Sequence, residues 1–531
     1  MDNKRYKHVE LFAGCGGMSL GLDAAGFELY FANELSSMAG ETFAFNILDE
    51  DLKQKAEKGE VAEKVKWIKS AFPKKDLNSR LRENPFSAKN GSFSDISTLK
   101  DIKGKLLIGD IDDILTFLNR QPNIVEQMRQ DGIDLLSGGP PCQGFSLAGR
   151  RIKDDHKNLL PLSFAKIAGL IRPKVVLLEN VKGITSPFTE EGNKYYAWLE
   201  VSKAFVLEGF VPVCMMLNSK YFGVAQNRPR FILFAFRHDV FLELLEKYKS
   251  NSLLEISSQF YQKVVENRDN LENVTIRDFS YTDIESEPEF FDGVILPKIE
   301  NSQGQFVSAS EAIGDIRRTN ITYSGSKIRR GYGNHLNETF KYKKGDDFEI
   351  KNHDPRKHTF DVKARFRFYQ VINEFQNGLK KGAVDLFTGK KVTTEVSDKL
   401  MKEFQNYSLY FKKNGDEVYK IPKDIEEVKE LVEAIPTKKH SQRALFEYEP
   451  APAQLTIPDD ICHYHMETLR TMTVREMARF QSFPDWFEFR SKVTTGGGNR
   501  KFEVPQYTQV GNAVPPLLAM ELGNVVYRLL T

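Results

Sequence analysis

From Tyr6 to about Arg237, short apolar runs alternate with stretches of helical spacing, the rhythm of a parallel sheet with crossover helices. Six runs read as strands: His8 to Phe12, Phe27 to Ala32, Ile133 to Ser137, Val175 to Glu179, Val211 to Leu217 and Phe231 to Phe236. They are short and largely apolar, as strands buried on both faces must be. Between Leu48 and Lys103 the pattern weakens into Lys, Glu, Ser and Asn, which predicts a surface insertion. From about His238 to Leu469 it changes to mixed short strands and polar loops. Near the end, Thr473 and Glu476 form a T-x-x-E capping box that opens a helix closed by Pro484. Val514-Pro515-Pro516 then starts a last helix with Leu518, Leu522, Val525, Val526 and Leu529 on one face, which must dock, and the first domain is its expected partner. The organisation expected is an α/β domain over 1–240 with an insertion at about 48–103, a smaller mixed region over 241–469, and a closing segment over 470–531.

A chain of 531 residues exceeds one ordinary core, consistent with several domains. Its 40% hydrophobic and 28% charged residues set disorder aside. The 75 basic and 73 acidic residues give a net charge of +2, so a surface for nucleic acid has to be local. One such cluster interleaves Arg317, Arg318, Arg329 and Arg330 with Tyr323 and Tyr332, a composition suited to phosphate contact and equally to a solvated loop. The N-terminus lacks the apolar stretch of a signal peptide, and no apolar run is long enough to span a bilayer. A cytoplasmic protein without a membrane partner is expected. Cys15, Cys142, Cys214 and Cys462 form no C-x-x-C pair, and His463-Tyr464-His465 has no nearby third ligand, so no metal site is assigned.

The first strand runs into Phe12-Ala13-Gly14-Cys15-Gly16-Gly17, where glycines permit a tight turn and close approach of a ligand. Glu34 ends the second strand, placed to accept hydrogen bonds from ribose hydroxyls. Ser19 breaks the G-x-G-x-x-G fingerprint, which favours a nucleoside cofactor without pyrophosphate, although a purely structural turn would read the same. Gly138-Gly139-Pro140-Pro141-Cys142-Gln143-Gly144-Phe145-Ser146 follows the strand Ile133 to Ser137, so Cys142 falls at a carboxyl end of the sheet, and Glu179 ends the next strand. A thiol and a carboxyl group are thereby expected to meet. A small buried cysteine is the structural alternative, but prolines before it and Gly-Phe-Ser after it favour a shaped loop.

In order, VELFAGCGG, NEL, GDI, GGPPCQGFS, ENVKG, QNRPRF, RTMTVREMARFQSFPD and QVGNAVP make the chain resemble the C5-cytosine DNA methyltransferase family. The motifs occupy the first 240 residues and the last 60 or so, and the middle matches only as a variable target-recognition segment. The resemblance implies a class I S-adenosylmethionine-dependent methyltransferase fold, Rossmann-like with a mostly parallel sheet, and a smaller mixed target-recognition domain. It implies that Cys142 attacks C6 of cytosine, that Glu179 holds or protonates N3, and that Arg228 and Arg230 brace the site, Arg230 being the preferred partner of O2. For the S-adenosyl-L-methionine cofactor it points to Phe12, Ala13, Gly14, Gly16 and Gly17 in the glycine loop. It adds Glu34 with Leu35 after the second strand, Asp110 with Ile111, Pro141, and Asn512 with Val514. Leu35 stands where a tryptophan is often found, which removes an aromatic face for adenine.

Double-stranded DNA is the implied partner. Gly144 to Arg151 is expected to close over a flipped base. Gly144, Ser146, Arg150, Arg151, Arg329 and Arg330 are the expected DNA contacts. By family analogy the protein is a monomeric bacterial modification enzyme sharing its site with a cognate restriction endonuclease. An RNA cytosine methyltransferase is the nearest alternative, opposed by the roughly 230 residues before Arg470. A binding protein that has kept the fold but not the activity is opposed by the intact Cys142, Glu179 and Arg228-x-Arg230.

Overall fold

The computed structural model describes residues 5–88, 90–141, 156–190, 193–301, 305–318, 322, 331–341, 345, 347–376, 378–413, 415–437, 439, 442–454, 456 and 458–531. At its centre is a nine-stranded sheet: β1 (Tyr6–Leu11), β2 (Phe27–Glu34), β3 (Val65–Trp67), β4 (Lys105–Ile108), β5 (Leu135–Gly138), β6 (Val175–Val181), β7 (Phe210–Asn218), β8 (Pro229–Arg237) and β9 (Thr282–Asp283). Their order is β9-β7-β8-β6-β5-β1-β2-β4-β3. Pairing from β3 through to β6 is parallel, and β8 runs antiparallel to β6 and β7. This is the mostly parallel sheet that the resemblance implies, and the six expected strands all appear in it. Apolar layers cover both faces, one built around Val9, Leu136, Phe164 and Phe231, the other around Phe27, Leu177, Ile232 and Phe234.

The stretch 48–103 departs from the expected surface insertion, because β3 lies within it. Val65 and Trp67 pair in register with Leu106 and Ile108, and both are buried. The polar composition belongs to the loops around a strand too short to leave a periodic trace.

Residues 241–296 also pack on the sheet. The helix Ser252–Glu266 places Phe260 against Phe279, ring centroids 4.0 Å apart, and β9 extends the sheet beside β7. A separate core begins further on, where the helices Phe360–Asn373, Leu379–Phe387, Thr394–Phe404 and Ile425–Ala434 bury Phe366, Phe368, Leu400, Phe404 and Leu431. This part of the middle region is largely helical, with one hairpin, Leu409–Lys413 and Asp416–Lys420.

The closing segment returns to the sheet as expected. Leu518, Leu522, Val525, Val526 and Leu529 of the helix Pro516–Leu530 are buried in the core beside the helix Gly17–Ala24. Each contributes on the order of 1.5–3 kcal/mol through burial. A Cβ on Gly21 would lie 2.3 Å from the Pro516 carbonyl oxygen, so the close approach of the two helices requires glycine there. The helix Val474–Phe480 opens on the Thr473/Glu476 capping box. Glu476 also accepts a bidentate pair from Arg470 at 2.6 and 2.7 Å, which holds this buried carboxyl at about 2 against the upward push of burial. Arg479 pairs with Asp485 at 2.8 Å and donates to the Ala312 carbonyl, stitching the closing segment to the middle region. Among the described residues no helix is long and apolar enough to cross a membrane.

Candidate active site

The loops that matter all leave the carboxyl ends of central parallel strands, where open α/β sheets bind ligands. Leu11 of β1 lies beside Gly138 of β5, and Gly138 beside Leu178 of β6, so the turn after β5 meets Glu179 near the end of β6. A Cβ on Gly139 would come within 2.9 Å of Glu179 Oε2, so this glycine leaves room for the carboxylate. Asn180 Nδ2 donates to the Pro140 carbonyl at 3.0 Å and Asn180 Oδ1 accepts from the Val181 amide at 2.9 Å. One side chain thus ties the Gly-Gly-Pro-Pro turn to β6.

The antiparallel pairing of β8 with β6 brings a cation to the carboxylate. Arg230 Nε lies 2.6 Å from Glu179 Oε1, with both side chains about nine-tenths buried. Burial pushes Arg230 below its usual range and the Glu179 carboxylate opposes that push. Arg228 goes elsewhere: Nη2 donates to the carbonyls of Gly511 at 2.9 Å and Ala513 at 3.2 Å, on either side of Asn512. Burial and the nearby Arg230 charge push its pKa down. It clamps the closing segment.

On the other side of β1 the glycine loop wraps a second carboxylate. Glu34 accepts from the Gly14 amide through Oε2 at 2.9 Å and from the Ser36 amide through Oε1 at 2.8 Å. Burial raises its pKa and the backbone donors pull it down. Phe12, Gly14 and Gly16 all have positive φ, at 57°, 55° and 99°, and a Cβ on Gly14 would meet none of the described residues within 4 Å. Gly17 is crossed by the closing segment, where a Cβ would sit 2.4 Å from the Val514 carbonyl oxygen. Asp110 caps the helix Ile111–Arg120, accepting from the Asp112 amide at 3.1 Å. Leu35, Ser37, Ile108, Gly109 and Asp110 line one cleft at the ends of β2 and β4.

The family model for C-5 cytosine-specific DNA methylase matches residues 6–79 and 88–528. The chain belongs to this family. As a member it is a DNA (cytosine-5-)-methyltransferase. It is 24% identical over 522 residues to the type II methyltransferase M.DdeI of Desulfomicrobium norvegicum, covering 97% of this chain and 87% of that one. It is 23% identical over 528 residues to the type II methyltransferase M1.HphI of Haemophilus parahaemolyticus, covering 99% and 87%. A solved structure described as a prophage-encoded DNA modification methyltransferase of E. coli aligns over 99% of both chains, with 18% identity and a TM-score of 0.50, a likeness of fold.

Of the site residues read from sequence, this methylase brings Glu179 together with Arg230, and Glu34 with Gly14. Pro141 lies exposed at the end of the Gly-Gly-Pro-Pro turn, Ala13 is buried beneath the glycine loop, and Asn512 is exposed between two clamped carbonyls. Ile111 turns into the apolar core with Leu107 and Ile114, away from the cleft. Cys142, Gly144, Ser146, Arg150, Arg151, Arg329 and Arg330 lie outside the described residues. Three groups of consequence carried no assignment from sequence. Asn180 had one available signal, its place directly after Glu179. Gln509 is a hub, accepting from Thr42 at 2.6 Å and donating to the Val504 carbonyl at 3.0 Å. Trp67 shares the cleft with Asp110. No cluster of three His, Cys, Asp or Glu able to hold a metal occurs among the described residues.

Proposed function

We propose that this methylase transfers a methyl group from S-adenosyl-L-methionine to C5 of cytosine in a specific double-stranded DNA sequence, through a covalent bond between Cys142 and C6. The observation that carries the reading is the buried Glu179–Arg230 pair, packed against the turn that leads directly into Cys142. The target base is stacked in a duplex and has to be flipped out to reach that pair.

C5 of cytosine is a poor nucleophile. The Cys142 thiolate adds to C6 while Glu179 gives a proton to N3, the C5–C6 double bond becomes single, and the new C4–C5 double bond makes C5 the nucleophilic carbon of an enamine. Arg230 orients Glu179 and meets the cytosine O2 with its remaining donors. C5 forms its new bond to carbon, a base removes the C5 proton, the C6–S bond breaks to release the thiolate, and N3 returns its proton to Glu179. Asn180 holds the turn before Cys142 against β6. When bound, S-adenosylmethionine supplies the electrophilic methyl group. The residues fit it: each oxygen of Glu34 accepts one backbone N–H and keeps capacity for a ribose hydroxyl, and none of the described residues would stand within 4 Å of a Cβ on Gly14.

Relatives named as type II methyltransferases support the further reading that this enzyme protects DNA from a cognate restriction endonuclease acting at the same site. The test is a long PCR product carrying 5-fluorocytosine, mixed with protein and S-adenosylmethionine. The fluorine blocks loss from C5, so a denaturant-resistant protein–DNA adduct attached at Cys142 is expected. Absence of an adduct on DNA, with one on fluorinated transfer RNA, would overturn the DNA reading.

A further inference from the structure

We infer that the helical part of the middle region holds a nucleoside-phosphate site, separate from the active site, in a cavity where Lys380, Lys391 and Arg443 take the phosphate and an apolar floor takes the base. The cavity has a volume of about 640 Å³, in the range that encloses ligands of nucleotide size. It is bounded by the helices Phe360–Asn373, Leu379–Phe387 and Ile425–Ala434, and it shares no residue with the active site described above.

The floor belongs to the helical core. Tyr369 and Ile372 from the first helix, Leu386 from the second and Val432 from the third are buried and line it. The rim has the opposite character, with six cations and one acid, Glu433, lining the cavity. Three of the cations are answered by carboxylates: Lys390 by Asp385 at 3.0 Å, Lys429 by Glu426 at 2.6 Å and Lys439 by Asp459 at 2.7 Å. Lys380, Lys391 and Arg443 pair with no carboxylate among the described residues, which leaves the rim with a positive excess.

Lys380 is the most enclosed of these three. It donates to Asn373 Oδ1 at 2.6 Å and stands 4.1 Å from the centroid of the Phe446 ring. Burial and then the Arg443 charge push its pKa down, as expected of two cations that face one space without an anion between them. Tyr369 is 6% exposed and lines the floor, and its hydroxyl has no hydrogen-bond partner among the described residues. A buried hydroxyl without a partner is costly, and a ring nitrogen or phosphate oxygen would accept from it. These features select the ligand. Inorganic phosphate would leave the apolar floor bare, and a neutral apolar molecule would leave three cations unanswered. A nucleoside phosphate answers both, with a flat body whose edges form hydrogen bonds and a charge that strengthens them.

The experiment titrates the full-length protein, in excess S-adenosylhomocysteine, with thymidine and guanosine 5′-monophosphates by calorimetry. Neither probe carries the adenine of the cofactor or the target base. Binding of one equivalent is expected, at least about tenfold tighter than that of thymidine or of inorganic phosphate. The double variant Lys391→Ala/Arg443→Ala, at two exposed positions, weakens it at least about tenfold with an unchanged melting temperature. Val384→Trp, from a position 39% exposed on the cavity wall, fills the space and does the same. Competition by unmethylated genomic DNA would support the site and assign its nucleotide to a strand, and binding alongside DNA would support it with a free ligand. Failure of both nucleotides to bind the wild type, or binding that survives both variants, would overturn the inference and leave the reading of the active site intact.

Discussion

Arg230 and Glu179 stand side by side because β8 runs antiparallel to β6, placing Ile232 opposite Glu179 and delivering the guanidinium to within 2.6 Å of the carboxylate. A buried pair of this kind is directional, and an arginine in it is not interchangeable with a methionine of similar length. Arg230→Met is expected to slow single-turnover methyl transfer by about 100- to 1000-fold. Affinity for S-adenosylhomocysteine should stay within about twofold. A matched loss of cofactor affinity would show instead that Arg230 acts on the fold.

Asn180 fixes the turn before Cys142 through one hydrogen bond to the Pro140 carbonyl. Asn180→Ala should lower the rate of covalent adduct formation on 5-fluorocytosine DNA about tenfold and cost roughly 1–2 kcal/mol of stability. Stopped-time denaturing gels read the first and urea unfolding the second. An unchanged adduct rate would remove Asn180 from the positioning of the turn.

Arg228 is buried with two backbone carbonyls of the closing segment as its partners. Arg228→Ala is expected to lose roughly 2–4 kcal/mol of stability, and to weaken cofactor binding together with it by loosening residues 511–514. Urea denaturation and calorimetry on the same preparation check the pairing of the two effects. Full stability with lost methyl transfer would make Arg228 a substrate contact.

Glu10 lies buried on β1, bonded to Ser19, and burial lifts its pKa from 4.5 to about 8. Its folded-state pKa lies above its unfolded value, so the native state binds the extra proton and stability falls as pH rises from about 4.5 through about 8. Glu10→Gln has no proton to lose. The variant should be more stable than the wild type by roughly 2–4 kcal/mol at pH 8, with the gap closing toward pH 4.5. Melts across that range test it, and a gap independent of pH would contradict the assignment.

The parts of this fold that were legible in the sequence are those set by local pattern. β6, VVLLENV, opens on the unbroken apolar run Val175 to Leu178 because both its faces are covered, and the last helix shows its docking face at helical spacing. β3 and β4, at three and four residues, are too short to show periodicity. Their pairing closes a loop of nearly 40 residues whose polar composition hides the buried Trp67. The site divides in the same way. Glu34 and Glu179 could be placed from their positions at strand ends, whereas the partners of Arg228 and Arg230 depend on which distant segments return to them. Two arginines one residue apart, reading alike in sequence, take different work: one braces a loop some 280 residues away and the other meets the buried Glu179 carboxylate.

The most direct measurement is transfer of labelled methyl groups from S-adenosylmethionine to unmethylated genomic DNA, followed by bisulfite sequencing, for the wild type and Cys142→Ser. The account predicts methylation of cytosines within one short sequence motif and its complete loss in the variant. Methyl transfer that survives Cys142→Ser, or a well-folded wild type that binds cofactor and leaves DNA unmodified, would contradict it.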